Sequence, residues 1–340
     1  MQDRPAGVRE HELRLALARG WNLRPGQLRY APVGAGSYHW VARTAGGGRW
    51  FVTMDDLDAK SWLGTTREDV YAGLRAALDT AHWLRDRAGL GFVAAPEPTM
   101  DGTTAARVNP RYSVSLSRFI EGSGWEFGDQ LPVPVRDRLV DMLVTLHQVT
   151  PTSRVPVARP DLAERDVLAA ALGDLGRPWS GGPFAEPARA LLASAAGPVG
   201  DLLASFDRLA ARLAAASGQV ITHGEPHPGN LMRTRDGLRL IDWDTVGLAV
   251  PERDLWEVLG TSDGGVDGGD GGASDAARRY TRATGHAVDP DGLRFYQIRW
   301  ALDDIAAFTG QLRARHGPTT DAEAAWQALE QTMAGVLRRR

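Results

Sequence analysis

Between Ile221 and Asp244 the chain reads ITHGEPHPGNLMRTRDGLRLIDWD. Two short β-prone runs, GQVITH and GLRLIDW, bracket a segment that Pro226, Pro228 and Gly229 force into a turn or loop. Glu225 and Asn230 stand five residues apart across that loop. If the chain doubles back as a hairpin, Asp242 returns beside Asn230. An amide oxygen and a carboxylate then converge, and both are hard oxygen donors. Such a pair suits Mg²⁺, which keeps several waters and takes one or two protein oxygens together with substrate phosphates. Glu225, a second acid nearby, is placed to accept a proton from an attacking hydroxyl.

The pattern H-x-acid-x-x-x-x-N, followed by a later metal-binding Asp, divides the labour of phosphoryl transfer in this way. HGEPHPGN, with IDWD downstream, fits it.

Composition narrows the remaining choices. The chain has 340 residues, 43% hydrophobic and 24% charged, enough for two lobes with a core each or for one large domain. A net charge of −3 offers no basic field, so no nucleic-acid partner is expected. The absence of cysteine excludes disulfides and thiolate metal sites. The first twenty residues are charged and lack the apolar stretch of a secretory signal. No run of about 18 apolar residues suggests a membrane span, and a cytoplasmic protein is the expectation. Nearly all basic residues are arginine. Lys60 is the only lysine, so chemistry that needs a lysine has one candidate.

Residues 1–20 read as an amphipathic helix. HWVAR and RWFVTM, joined by TAGGG, read as a β-hairpin that follows the Gly-Ser turn VGAGSYH. A helix is expected from Thr66 to Arg87, then strands over FVAAPEP and YSVSLSRFIEG. Beyond Ile120 the pattern is mainly helical: RDRLVDMLVTLHQV, DLAERDVLAAALGDL, one long run over 186–216, ERDLWEVLG, and segments near 275–284, 291–315 and 320–337. The Gly/Asp tract TSDGGVDGGDGGASD lacks the ligand spacing of a calcium loop and reads as a flexible surface loop.

Taken together, HGEPHPGN and IDWD resemble the signature of the aminoglycoside phosphotransferase family, and GLAVPERDLWEV resembles its spectinomycin phosphotransferase branch. VGAGSYHW stands where that family has its nucleotide loop, SRFIEG where it has the hinge, and LVTLHQV resembles the helix that carries a Leu-His pair. The resemblance spans about residues 25–310 and is strongest over 221–257. It implies an α+β, bilobal protein-kinase-like fold, with a small antiparallel-sheet N-lobe over 1–120 and a larger helical C-lobe over 121–340. It also implies ATP and Mg²⁺. By position Glu225 becomes the catalytic base, Asn230 and Asp242 the metal ligands, and His223 a brace for the loop; His227 reads as a satisfied loop histidine. Gly34, Gly36 and Ser37 fall in the nucleotide loop. Ser117, Phe119 and Ile120 fall at the adenine hinge.

Two positions depart from the family. Glu225 replaces Asp, which lengthens the base by a methylene and keeps its chemistry. Thr53 stands where the third strand usually carries a phosphate-binding lysine. Lys60 and Arg43 are the cations that could replace it, with Glu68 as a possible acidic partner. On the acceptor side, Trp300 and Asp304 share a helix face beside Asp303, and Trp256 and Glu257 form a similar aromatic–acid pair; either would suit a cationic sugar ring. The expected acceptor is a hydroxyl of an aminoglycoside-like or other antibiotic. A metabolite kinase acting on choline, homoserine or a sugar amine is the alternative, as is a pseudokinase that binds nucleotide or ligand without turnover.

Overall fold

The computed structural model describes residues 1–214, 218–259 and 271–338. Their contacts separate into two compact units. The first holds residues 3–159 and 218–288, the second 160–217 and 289–340. The division expected at residues 120 and 121 lies inside the first unit, where sheet gives way to helix.

The first unit begins with α1 (Glu10–Trp21) and an antiparallel sheet ordered β1 (Gln27–Ala31), β2 (Ser37–Arg43), β3 (Arg49–Asp56), β5 (Tyr112–Arg118) and β4 (Ala106–Arg107). Side chains alternate across a strand. Val52 and Met54 of β3 therefore turn inward onto Leu13, Leu17, Trp40, Val114 and Leu116, while Thr53 and Asp55 share the other face. Helix α2 (Arg67–Asp86) opens with a capping box, in which Thr66 Oγ1 accepts from the Asp69 N–H and the Asp69 carboxylate accepts from the Thr66 N–H, both at 3.2 Å.

The same unit continues through β6 (Ser123–Gly124), α3 (Val133–His147), β7 (Val220–Thr222), β8 (Leu231–Thr234), β9 (Gly237–Leu240), β10 (Gly247–Ala249), α7 (Glu252–Leu259) and α8 (Gly271–Thr284). Strand β8 pairs with β9 in a tight antiparallel hairpin, and β7 pairs with β10.

The second unit packs α9 (Pro290–Arg313) with α4 (Arg165–Gly173), α5 (Ala185–Ser194), α6 (Ala196–Leu213) and α10 (Thr320–Arg338). Phe206 and Phe295 stack 5.1 Å apart in its core.

This is the α+β, bilobal kinase-like architecture expected from the sequence. Three local expectations need correction. FVAAPEP is not a strand. Pro96 and Pro98 deny it a continuous ladder, and it runs as irregular chain tied by Ala94 N–H to Leu240 O at 3.0 Å and by Glu97 N–H to Leu116 O at 2.7 Å. The long helix expected over 186–216 breaks at Ala195, and Pro198 is accommodated in the first turn of α6, where no intrahelical N–H is needed. The expected runs GQVITH and GLRLIDW do not pair with each other: β7 in the first pairs with β10, and β9 in the second pairs with β8, whose four residues are too few to show an alternation. The Gly/Asp tract falls largely outside the described residues. Among those described, no helix is long and apolar enough to cross a membrane.

Candidate active site

The hairpin β8–β9 assembles the site. Asn230 ends the 3-10 turn Pro228–Asn230 just before β8, and Asp242 follows β9 by two residues. The ladder extends one rung beyond the strands, with Ile241 N–H donating to Asn230 O at 2.9 Å. Both side chains thus start from the open end of one hairpin. Asp242 holds φ +64°, a left-handed conformation that Asp tolerates better than most residues.

Asn230 is locked by its amide nitrogen, which donates to Glu225 O at 2.9 Å and to His227 Nε2 at 3.2 Å. Its two N–H groups are therefore engaged, and its carbonyl oxygen remains the acceptor end. The same contact tethers the backbone of Glu225 to Asn230.

The loop itself is braced from below. His223 Nε2–H donates to Ile241 O at 2.9 Å, and His223 Nδ1 accepts from the Glu225 N–H at 3.2 Å. Burial pushes its pKa down to about 4, so the ring is neutral and can play both roles. Burial likewise lowers His227 to about 4. The fully buried Asp254 carboxylate accepts from His223 N–H at 2.8 Å and Gly224 N–H at 2.6 Å. Behind it His147 Nε2 lies at 3.0 Å, and His147 Nδ1 meets the Tyr280 hydroxyl at 2.7 Å. Burial alone would raise the Asp254 pKa; the hydrogen bond and charge of His147 prevail and hold it below the ordinary value.

Acids crowd this end of the unit. Asp242 is exposed to solvent, and the like charges of Asp244, Glu225 and Asp55 push its pKa up while Lys60 opposes them. Lys60 lies 3.1 Å from Asp55 and 2.5 Å from Asp244 and is almost wholly buried. Neither partner was singled out in the sequence. A signal was available in Asp55, an acid on the same strand face as Thr53.

The remaining expected residues are distributed as follows. Gly34 and Gly36 hold φ +66° and +78° in the turn before β2, and Ser37 opens that strand. A Cβ on Gly36 would meet open space, so only backbone conformation demands glycine there. Thr53 Oγ1 meets His39 Nδ1 at 3.2 Å. Arg43 lies at the opposite end of β2 from Ser37, paired in register with Arg49, and is not brought to the hairpin. Glu68 pairs with Arg107 at 2.7 Å and is exposed, so it is not the partner of Lys60. The cap at Thr66 puts Glu68 on the solvent side of the first turn of α2. Ser117 pairs with Phe51 one rung before the β3–β5 ladder ends at Arg118, and Phe119 follows, its ring centroid 3.8 Å from the Arg49 guanidinium carbon and its N–H on Arg49 O; Ile120 is half-buried beside it. Trp256 and Glu257 are half-buried on α7.

In the second unit, Asp303 lies 3.3 Å from Arg299, and Asp304 accepts from Thr332 Oγ1 at 3.3 Å and from Trp300. Burial raises their pKa values to about 6 and about 7.

Comparison with known proteins shows the family and the fold. Residues 29–296 match the model of the phosphotransferase enzyme family. Protein StrN of Streptomyces griseus is 27% identical over 285 residues, 79% of each chain. Spectinomycin phosphotransferase APH(9)-Ia, solved with ADP and spectinomycin, superposes with a TM-score of 0.71 at 14% identity, covering 98% of this chain and 99% of its own. Amicoumacin kinase hAmiN, solved with AMP-PNP, Ca²⁺ and Ami, gives a TM-score of 0.57 at 13% identity over 97% of this chain and 93% of its own.

Proposed function

Because the chain belongs to the phosphotransferase enzyme family, we propose that it moves the γ-phosphate of ATP, with Mg²⁺, to a hydroxyl of a small antibiotic of the aminoglycoside type. The observation that carries this reading is that Asn230 and Asp242 both start from the open end of one hairpin, joined by the Ile241 N–H bond to Asn230 O, with the Glu225 backbone tied to the Asn230 amide.

The residues fit a divalent cation. Asn230 keeps its carbonyl oxygen as an acceptor, and Asp242 stands among Asp244, Glu225 and Asp55 with one lysine as counter-charge. That is an excess of negative charge which a hard cation would relieve. Asn230 and Asp242 would hold Mg²⁺, which when bound would draw charge from the phosphate oxygens. Glu225 would accept the proton of the acceptor hydroxyl as its oxygen attacks phosphorus in line. The bond from phosphorus to the ADP oxygen breaks as the new one forms. Asp254 keeps the loop at the right height by holding two backbone N–H groups next to the base.

For the nucleotide we assign Gly34, Gly36 and Ser37 to the phosphates and Ser117, Phe119 and Ile120 to the adenine, within an N-lobe of residues 1–120. Two separate groups are candidates for the acceptor: Trp256 with Glu257 in the first unit, and Trp300 with Asp303 and Asp304 in the second. The two aspartates suit an ammonium-bearing ring, because a cation would favour the ionised form that burial disfavours. The ligands in the two solved relatives, ADP with spectinomycin and AMP-PNP with Ca²⁺, support the nucleotide, the divalent cation and the antibiotic class.

The test is Mg-ATP turnover against a panel of aminoglycosides and other antibiotics, with choline, homoserine and amino sugars beside them. Transfer to an antibiotic is expected. Glu225→Ala should lower kcat by roughly 10²–10⁴, Glu225→Asp should retain turnover, and Asp242→Ala should abolish it. Full activity in Asp242→Ala would overturn the metal assignment. Nucleotide binding without transfer to any acceptor would overturn the reading as a whole.

A further inference from the structure

The only lysine of the chain is not on β3. It follows the strand by four residues, and its ammonium is enclosed. Nζ lies 3.1 Å from Asp55 Oδ1 and 2.5 Å from Asp244 Oδ2, with the Trp62 ring centroid 5.2 Å away. Asp55 also accepts from Ser37 Oγ at 2.8 Å, and Ser37 directly follows the glycine turn. Asp244 stands two residues after Asp242. A continuous line of buried polar contacts therefore runs Ser37–Asp55–Lys60–Asp244, from the glycine turn to the metal-ligand loop.

The chemistry of this line argues against a lysine free to grip phosphate. An ammonium flanked by two carboxylates already has its charge compensated. Turning it toward a phosphate would leave Asp55 and Asp244 buried together without a counter-ion, an arrangement that proteins avoid. The ammonium also joins segments 184 residues apart in the chain, so it acts as a tie between loops. Asp55 is held on both sides, by Ser37 and by Lys60, which fixes the direction in which Lys60 can reach.

We infer that Lys60 is a positioning residue: with Asp55 it clamps the loop of Asp242 and Asp244 to the glycine turn, and it is not a direct ligand of the nucleotide phosphates. This rests on the phosphotransferase reading above. It assigns Asp55, Ser37 and Asp244 to one device, and it places the phosphate-facing charge on the metal and on backbone N–H groups of the glycine turn.

Asp55→Asn discriminates the two roles, because it loosens the clamp while leaving the lysine charged. Calorimetric binding of Mg-ATP and AMP, steady-state kinetics and melting temperatures should be measured for the wild type, Asp55→Asn, Lys60→Met and the double variant. If Lys60 positions, both single variants lower kcat by about 10–100-fold, change Mg-ATP affinity less than threefold, and combine with no further loss. If Lys60 binds phosphate, Lys60→Met weakens Mg-ATP at least tenfold relative to AMP while Asp55→Asn preserves or tightens it, and the inference falls. Should Lys60→Met fail to fold, Asp55→Asn alone decides: unchanged kcat overturns the clamp. A wild type that binds no nucleotide overturns the phosphotransferase reading and this inference with it, whereas normal wild-type binding with phosphate-type variants overturns only the inference.

Discussion

Gly224 precedes Glu225, the proposed base, with φ +102° and its N–H on the Asp254 carboxylate. A Cβ there would sit 2.5 Å from the Arg253 guanidinium, which is itself pinned to Thr222 Oγ1 and Thr245 O, each at 2.8 Å. The arginine cannot yield without breaking those bonds. Gly224→Ala therefore combines backbone strain with a steric clash. It should destabilise the protein by about 2 kcal/mol or more and lower kcat more than it raises KM, as measured by calorimetry and initial rates. This position was legible as a turn in HGE, but the reason for glycine was not, because Arg253 comes from 29 residues further along the chain. The triad of Glu225, Asn230 and Asp242 was easier to read. Its residues lie within twenty positions of one another, so their spacing alone was readable, whereas the first strand of the hairpin that joins them, β8, is too short to show in sequence.

At the scale of the element, α9 carries two adjacent acids whose carboxyls burial pushes up, Asp303 to about 6 and Asp304 to about 7. These two groups thus bind more protons in the folded protein than in the unfolded chain between about pH 4 and pH 7. Their own contribution to stability falls as pH rises through that window and is gone above the folded values, while the buried His223 and His227, lowered to about 4, contribute with the opposite sign. Asp304→Asn removes part of this dependence. Its melting temperature should differ little from the wild type at pH 4 and exceed it at pH 8; a gap that shrinks with rising pH would contradict the burial of Asp304. Helix periodicity in the sequence placed Asp304 on one face with Trp300, but it could not show how far that face is covered by Thr332 and the chain around it. The same limit explains Glu68. Its position near the start of a helix was readable, whereas its partner Arg107 depends on how β4 lies beside α2.

On the scale of the whole molecule, the chain order and the compact units do not coincide. The first unit is closed by segments far apart in sequence: Val93 bridges Leu240, Val157 bridges Leu248, and Lys60 reaches Asp244. A fragment of residues 1–120 would keep every strand of its sheet but lose Leu240 and Asp244, leaving Lys60 with Asp55 alone. It should not fold cooperatively by itself, which far-ultraviolet dichroism and a thermal melt of the fragment would check; a sharp, two-state melt would refute it. Architecture was largely legible from alternating and helical patterns. The closure of the unit was not, since contacts that span 91 to 184 residues leave no trace in local periodicity.

Lys60 is the sole source of an ε-amine in this protein, and it is 2% exposed. Reagents that acylate amines should find that side chain sealed while the chain is folded. The speed at which such a label enters it then becomes a clock for transient opening at the heart of the molecule, readable by mass spectrometry without introducing any foreign residue.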